Sequence, residues 1–363
     1  MQPDIADAHP DASDAPIVLD GSMGEGGGQV LRTSLALACL TGRALELSNI
    51  RAGRAKPGLM RQHLTCVQAA ARVSGARVEG AELSSTALVF EPAGLWPLTA
   101  RFDIGTAGAT GLVVQTILLP LLFANGESRV ELTGGTHVMA APSFTFLSNT
   151  FAPLVRAMGA DFAFELHRAG YYPAGGGRVE LVVRPLAEGA TLAPLELDAA
   201  AADDGMHAIA TTAKIPESVG RRELRQLAAL LPIGRKQLFE RRDKESVGPG
   251  NVVAVHVPLD DARTSVFTSC GKRGVPAEKV ASDLAAEVRA FTSARVAVDE
   301  HLADQLLLPL ALAGGGSFTT TAQSLHTRTN AEVIEAILGT RFEVDELGEG
   351  RFRVRVEGEP LLR

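Results

Sequence analysis

"GLVVQTILLPLLFANGESRVELTGGTHVMAAPS", residues 111–143, runs from an apolar stretch through a short alternating segment into a loop of glycines, hydroxyls and one histidine. The spacing predicts a helix over 108–124, a strand over 129–133 and a loop over 134–143. A membrane span is excluded for the apolar part. It is about fourteen residues long, contains Gln115 and Pro120, and falls short of the roughly 20 that a bilayer needs. A second helix is predicted over 144–158 and a second strand over 161–165. The fold is decided by recurrence, because the order helix, strand, polar loop, helix, strand is written twice more in the chain.

One further copy has helix 28–41, strand 45–48, the loop NIRAGRAKPG, helix 59–74 and strand 77–80. The other has helix 302–313, strand 317–321, the loop AQSLHTRT, helix 330–338 and strand 341–345. If the copies fold alike, their loops occupy equivalent places and bring Arg51, Arg54 and Lys56 towards Gly134 to His137 and His326. Residues 188–292 differ in character. They contain strand-like HAIATTAKI, NVVAVHVPL and TSVFTSC, a basic helix ESVGRRELRQLAALL and a helix at 276–291, and so read as a compact inserted domain. The expected division is a disordered tail at 1–15, a large discontinuous α/β domain of three repeated units at 16–187 and 293–345, the smaller insertion at 188–292, and a C-terminal extension at 346–363.

At 363 residues the chain exceeds what one core usually holds, which fits a large domain plus a smaller one. The formal charge of −7 excludes a protein that coats nucleic acid through bulk charge, so any such contact must be local. Cys39, Cys66 and Cys270 form no CxxC pair and no metal-ligand spacing, as expected of free thiols in a reducing compartment. The tail lacks the basic and apolar regions of a secretion signal. A cytoplasmic protein without a membrane segment is the expectation.

Three segments point to phosphate chemistry. In LDGSMGEGGGQVLRTSLAL, residues 19–37, Gly24, Gly26, Gly27 and Gly28 precede a helix, where bare N–H groups cradle anions. Neither GK[ST] nor GxGxxG is present, so a tight turn that needs glycine remains the alternative. In RAGRAKPGLMRQH, Arg51, Arg54, Lys56, Arg61 and His63 crowd into thirteen residues of an acidic protein, and guanidinium forks match phosphate oxygens. A solvated basic face is the rival reading. In GSFTTTAQSLHTRTNAEV, residues 316–333, His326 stands among hydroxyls with no carboxylate within five residues. Such an imidazole suits nucleophilic attack on phosphorus. His301, Asp304 and Gln305 gather at a helix start, where Asp304 can equally serve the helix dipole. His9, His63, His167, His207 and His256 are weaker candidates, and His137 is less easily dismissed.

Taken together, DGSMGEGGGQVLR, IRAGRAKPGLMRQHL, IGTAGATGLVVQT, GGTHVMAAP, GYYPAGGGRVE, HLADQLLLPLALAG and SLHTRTN resemble the RNA 3′-terminal phosphate cyclases, in family order over most of the chain. The resemblance implies βαβαββ-like units with an inserted smaller α/β domain. It implies ATP-dependent conversion of an RNA 3′-phosphate to a 2′,3′-cyclic phosphodiester, through a covalent histidine–AMP and an RNA-ppA intermediate, with release of AMP and pyrophosphate. By position His326 matches the adenylated histidine. Arg32, Arg51, Arg54 and Gln62 match residues around the phosphates, and Glu25 matches a carboxylate suited to Mg²⁺ or Mn²⁺. Gln115, Pro142, His301, Leu302, Ala303, Asp304 and Gln305 match the nucleotide pocket. Position 301 is Tyr in some members, and position 137 is often Asp or Asn. The rivals are a non-catalytic cyclase-like protein in RNA processing or ribosome assembly, against which His326 and the arginine loop speak, and an enolpyruvyl transferase of similar repeated architecture.

Overall fold

The computed structural model describes residues 15–198, 205–260, 262–321 and 323–363. The tail expected at 1–15 lies, but for Ala15, outside the described residues. The repeat is visible as three sheets of one topology. The first unit comprises β1 (Ile17–Asp20), α1 (Gly28–Thr41), β2 (Leu45–Ser48), α2 (Arg61–Ser74), β3 (Arg77–Glu79) and β4 (Leu88–Glu91), with sheet order β1-β2-β4-β3. β1 and β2 are parallel because α1 crosses between them, whereas β4 is antiparallel to both β2 and β3.

The second unit repeats this with β5 (Thr99–Asp103), α3 (Thr110–Leu122), β6 (Ser128–Gly134), a helical segment, β7 (Asp161–Arg168) and β8 (Gly177–Arg184), in order β5-β6-β8-β7. That segment is α4 (Phe144–Phe146), a π-helical stretch Leu147–Phe151 and α5 (Ala152–Ala157). The third unit opens with β9 (Glu196–Leu197) and is interrupted by β10 (His207–Ala213), α6 (Ser218–Leu230), β11 (Leu238–Asp243), β12 (Gly250–Pro258), β13 (Thr264–Cys270) and α7 (Ala277–Ala294). It resumes with α8 (Glu300–Leu312), β14 (Gly315–Thr320), α9 (Leu325–Leu338), β15 (Arg341–Gly348) and β16 (Arg351–Glu357), in order β9-β14-β16-β15.

The helix–strand pattern in the sequence accounts for two of the four strands in each unit and misses the closing one. In the third unit that strand is β16, which lies within 346–363 yet is hydrogen-bonded between β14 and β15. A second difference concerns His326. The polar run 322–329 reads as a loop, but α9 begins at Leu325. Ser324 caps it by accepting the Thr327 N–H, and Thr329 Oγ1 donates to the Leu325 carbonyl. The hydroxyls that mimic a loop are the helix's own first-turn partners.

The three units share one core, in which Leu31, Leu35, Ile117, Leu118, Leu306, Leu310 and Phe318 are fully buried. Each contributes about 1.5–3 kcal/mol through removal from water. Every residue of α3 except Gln115 is buried, so this helix runs through the core and opens it at one polar point. The insertion has a separate core of Leu224, Leu227, Val253, Val255, Leu284 and Val288 between its sheet and α6 and α7. It docks on the second unit. Thr150 Oγ1 donates to the Thr264 carbonyl and accepts the Val266 N–H, both at 2.9 Å, and Tyr171 packs on Ala213 and Val252.

Candidate active site

The β1–α1 connection meets the first turn of α9. Gly24 takes a left-handed φ of 56°, and a Cβ there would overlap the Thr329 side chain. Next to it the Glu25 N–H donates to Thr329 Oγ1 at 3.0 Å. The contact is anchored from beneath, because Thr33 Oγ1 of α1 donates to Asn330 Oδ1 at 2.6 Å and Asn330 Nδ2 donates to the Asp304 carbonyl of α8 at 2.6 Å. Asn330 is buried and ties three helices, so it sits inside α9 and does not start it.

The Glu25 side chain is almost wholly buried. Its carboxylate pairs with Arg54 and lies 3.4 Å from Nε2 of His326, whose own ring is half exposed. Around this pair the positive charge is dense. Arg32 donates to Gln29 Oε1 at 2.6 Å; burial pulls its pKa down, against the pull of Cys66, Asp304 and Glu25. His63 is buried, and its Nδ1 accepts the Met60 N–H at 3.3 Å, which leaves the ring proton on Nε2. Burial first, then Arg51, Arg32 and Arg54, push its pKa down to about 3, so it stays a neutral donor. A Cβ on Gly28 would stand 2.7 Å from that Nε2 and 2.9 Å from Arg32 Nη1, so the glycine leaves both side chains open to the start of α1. The N-cap of α1 is Gly27, so no side chain of the cap takes up its first N–H groups. A strongly anionic ligand beside a nucleophilic nitrogen is what this arrangement accommodates.

The predicted site residues are placed unequally. Arg54, Glu25, Arg32 and His326 converge. Arg51, at a left-handed φ of 57°, donates from Nη1 to the carbonyls of Lys56 and Gly58 at 2.8 and 2.7 Å, so one edge of its fork staples its own loop. Gln62 Oε1 accepts the Ala109 N–H at 2.8 Å, joining the arginine loop to the second unit. His137 is packed away. Its two nitrogens bond Thr136 and Thr145 at 2.9 Å, it stacks on Tyr171, and burial lowers its pKa to about 4. Among the described residues no bond links His137 to Glu25, Arg54 or His326.

A sequence model of the RNA 3′-terminal phosphate cyclases matches residues 23–344 of the chain. The chain belongs to that family. It is 45% identical over 330 residues to the RNA 3′-terminal phosphate cyclase of Koribacter versatilis, covering 91% of this chain and 92% of that one. With the protein of the same name from Ralstonia nicotianae it shares 48% over 328 residues, 90% and 93% of the two chains. An EPSP synthase structure from Acinetobacter baumannii aligns with a TM-score of 0.30 at 13% identity, over 95% of this chain and 48% of that one, and supports no inference.

Beside the cyclase-family motif at α9, α3 and α8 present a second polar group. Gln115 Nε2 donates to Gln305 Oε1 at 2.6 Å, Gln305 Nε2 donates to the His301 carbonyl, and the Pro142 carbonyl stands 3.0 Å from where a Cβ on Gly111 would be. His301 is exposed at the first turn of α8, which Asp299 caps by accepting its N–H and that of Leu302. Leu302 and Ala303 point into the core, so they reach a ligand only through their backbone. The Asp304 carboxyl is pushed up to about 7 by burial, with Arg32 pulling it back. Sequence reading ranks His63 among the weaker candidates, and the structure places it beside Arg32 at the start of α1. The signal available was its place one turn into a helix directly after the arginine loop.

Proposed function

We propose that the protein uses ATP to convert an RNA 3′-phosphate to a 2′,3′-cyclic phosphodiester, with His326 as the nucleophile. The observation that carries this reading is Nε2 of His326 facing Glu25 within reach of Arg54, at the point where the uncapped start of α1 and the first turn of α9 meet. The lone pair needed for attack lies on Nε2 in the neutral ring whose proton is on Nδ1, and that nitrogen stands 3.4 Å from the Glu25 carboxylate. Nε2 then displaces pyrophosphate from the ATP α-phosphorus. An oxygen of the RNA 3′-phosphate takes the AMP from nitrogen and regenerates the imidazole. Finally the neighbouring 2′-hydroxyl attacks the activated 3′-phosphorus, loses its proton, and expels AMP with the electron pair of the broken P–O bond.

Each step places negative charge near the same cations. Arg32 and Arg54 offset it, the His63 N–H and the Gln62 amide donate without adding charge, and Gln115, Pro142, His301, Asp304 and Gln305 line the nucleoside side, with Leu302 and Ala303 contributing backbone. A single carboxylate beside a phosphate site is the donor set that Mg²⁺ or Mn²⁺ takes when phosphate oxygens and water complete its shell, so Glu25 fits a metal role. When bound, such an ion supplies charge neutralisation at phosphate. The deciding experiment is incubation with α-³²P-ATP. An acid-labile adenylate forms on the protein and is lost in His326→Ala; covalent AMP on that variant would move the nucleophile elsewhere.

A further inference from the structure

The chain is acidic, yet its charge is unevenly held. Residues 205–296 carry 15 lysines and arginines against 10 aspartates and glutamates, a net of +5 in a chain of net −7. Much of the insertion's charge is neutralised locally, as in Arg221 with Glu217 and Glu240, Arg222 with Glu278, and Arg242 with Glu217. Arg225, Lys272, Arg273, Arg289 and Arg295 are exposed with no ion-pair partner among the described residues, and one edge gathers four more such cations around a single strand. Arg235, Lys236, Arg241 and Lys244 flank or lie in β11, are exposed, and have no ion-pair partner among the described residues. Among the described residues β11 pairs only with β10, which leaves its outer edge open there.

The same edge carries flat rings. Phe239 of β11 is 45% exposed, and His207 of β10 meets it edge-on at 6.0 Å. His207 in turn stacks on His256 of β12 at 4.5 Å and 10°, and buried His256 Nε2 has no hydrogen-bond partner among the described residues. Phe239 and Arg241 are alternate residues of one strand and share a face. An exposed ring framed by unpaired cations on an open sheet face fits unpaired nucleotides, whose bases stack and whose phosphates are neutralised.

A chain of contacts joins the insertion, at the turn after β11, to the second unit and from there to Gln62. Lys214 Nζ donates to the Val247 carbonyl at 2.8 Å, and a Cβ on Gly176 of the β7–β8 hairpin would stand 2.7 Å from Val247. One on Gly175 would stand 2.6 Å from the Thr106 carbonyl, in the loop whose Ala109 is bonded to Gln62. We infer that the β11 edge of the insertion, through Arg235, Lys236, Phe239 and Arg241, binds the single-stranded RNA segment upstream of the 3′-phosphate. The inference rests on the RNA-end reading of the site and assigns its polymer a track.

The test is the full chain carrying Arg235→Glu, Lys236→Glu and Arg241→Glu together, and separately Phe239→Ala. Binding is read by anisotropy of a labelled single-stranded RNA of about 20 nucleotides ending in a 3′-hydroxyl, longer than the about 4 to 16 nucleotides a comparable surface covers. Turnover is read with the 3′-phosphorylated form of that RNA and with a 3′-phosphorylated trinucleotide. The triple variant should weaken binding at least about tenfold and lower the slope of log K against log salt by about 2, since each lost phosphate contact removes about 0.7. Phe239→Ala should weaken it by about tenfold, and Phe239→Tyr should restore it. Adenylation by ATP and trinucleotide cyclisation should stay within about twofold in every variant. The inference falls if the long RNA binds the triple variant as it binds the wild type. It falls equally if long and short substrates lose activity together, or if the variant changes the oligomeric mass and leaves RNA binding intact, which would make this edge an interface between copies. A wild type that binds the long RNA through this edge but forms no adenylate would leave the surface standing and overturn the reading of the site.

Discussion

The Glu25 carboxylate lies 3.4 Å from His326 Nε2 while paired with Arg54, so a single acid from the first unit touches both the proposed nucleophile of the third unit and a phosphate-binding candidate of its own. Glu25→Gln keeps the shape and removes the charge. It should lower the rate of covalent AMP formation by about 10²-fold or more, the scale of losing one charge-stabilising group in a catalytic centre. Retention of most of the adenylation rate would reduce Glu25 to a structural partner of Arg54.

His326→Ala separates the first step from the last. The ring is half exposed, so the melting temperature should stay close to that of the wild type. Supplied with RNA that already carries the terminal ppA group, the variant should still close the cyclic phosphate, because the proposed mechanism needs the covalent enzyme only before that point. A folded variant that fails on this substrate would show that the imidazole also moves a proton in ring closure.

How much of this was written in the sequence depends on range. The repeat was legible because each unit carries its own helix and strand periodicity; Arg54 and His326 stood out in short motifs and Glu25 through the family resemblance, and the fold brings the three together. The pairing of Asn330 with Thr33 and Asp304 was not, since it joins groups far apart in the chain and each polar residue looked locally like a cap or turn. The start of α9 was misplaced for the same reason, and β16 was lost because RFRVRVE, with its arginines alternating against Phe and Val, borders a turn of glycine and acid.

Asn330 should therefore be a stability residue as well as a site residue. Asn330→Ala strips a partner from the buried Thr33 hydroxyl and from the Asp304 carbonyl, at a cost of about 2–4 kcal/mol. Urea denaturation should show the midpoint lowered by that free energy divided by the m-value. Adenylation should fall with it, because the same side chain sets the first turn of α9 against α1.

Glu223 gives the insertion a pH signature. Its carboxyl is buried, with Oε2 accepting from Asn251 and Oε1 unpartnered among the described residues, and burial pushes its pKa up to about 7. Between the ordinary carboxylate pKa and about 7 the folded state binds a proton that the unfolded chain releases, so this contribution to stability is present at low pH and lost as pH rises through 7. Glu223→Gln removes it. Relative to the wild type, the variant should gain about 2 kcal/mol between pH 5 and pH 8 in denaturation experiments; an unchanged difference across that range would mean that Glu223 titrates normally.

The arginine loop divides its work between orientation and scaffold. Arg54 is exposed on one side and paired with Glu25 on the other, so its fork is available to hold a phosphate in one orientation for in-line attack. Arg51 spends one edge of its fork on the carbonyls of Lys56 and Gly58, and its left-handed φ of 57° is sustained by that staple. Lysine keeps the charge at either position but has neither the planar fork nor the two parallel donors. Arg54→Lys should lose about 10²-fold in cyclisation with the loop intact, whereas Arg51→Lys should lose a similar factor together with protection of the 51–58 backbone, visible by hydrogen exchange. Lys56→Ala should be mild, because Lys56 contributes its carbonyl to Arg51 and its side chain is exposed. Rates measured on a 3′-phosphorylated oligonucleotide at matched salt decide the matter: near-full activity in Arg54→Lys with a large loss in Lys56→Ala would mean that the loop acts as a diffuse positive patch and that no oriented clamp exists.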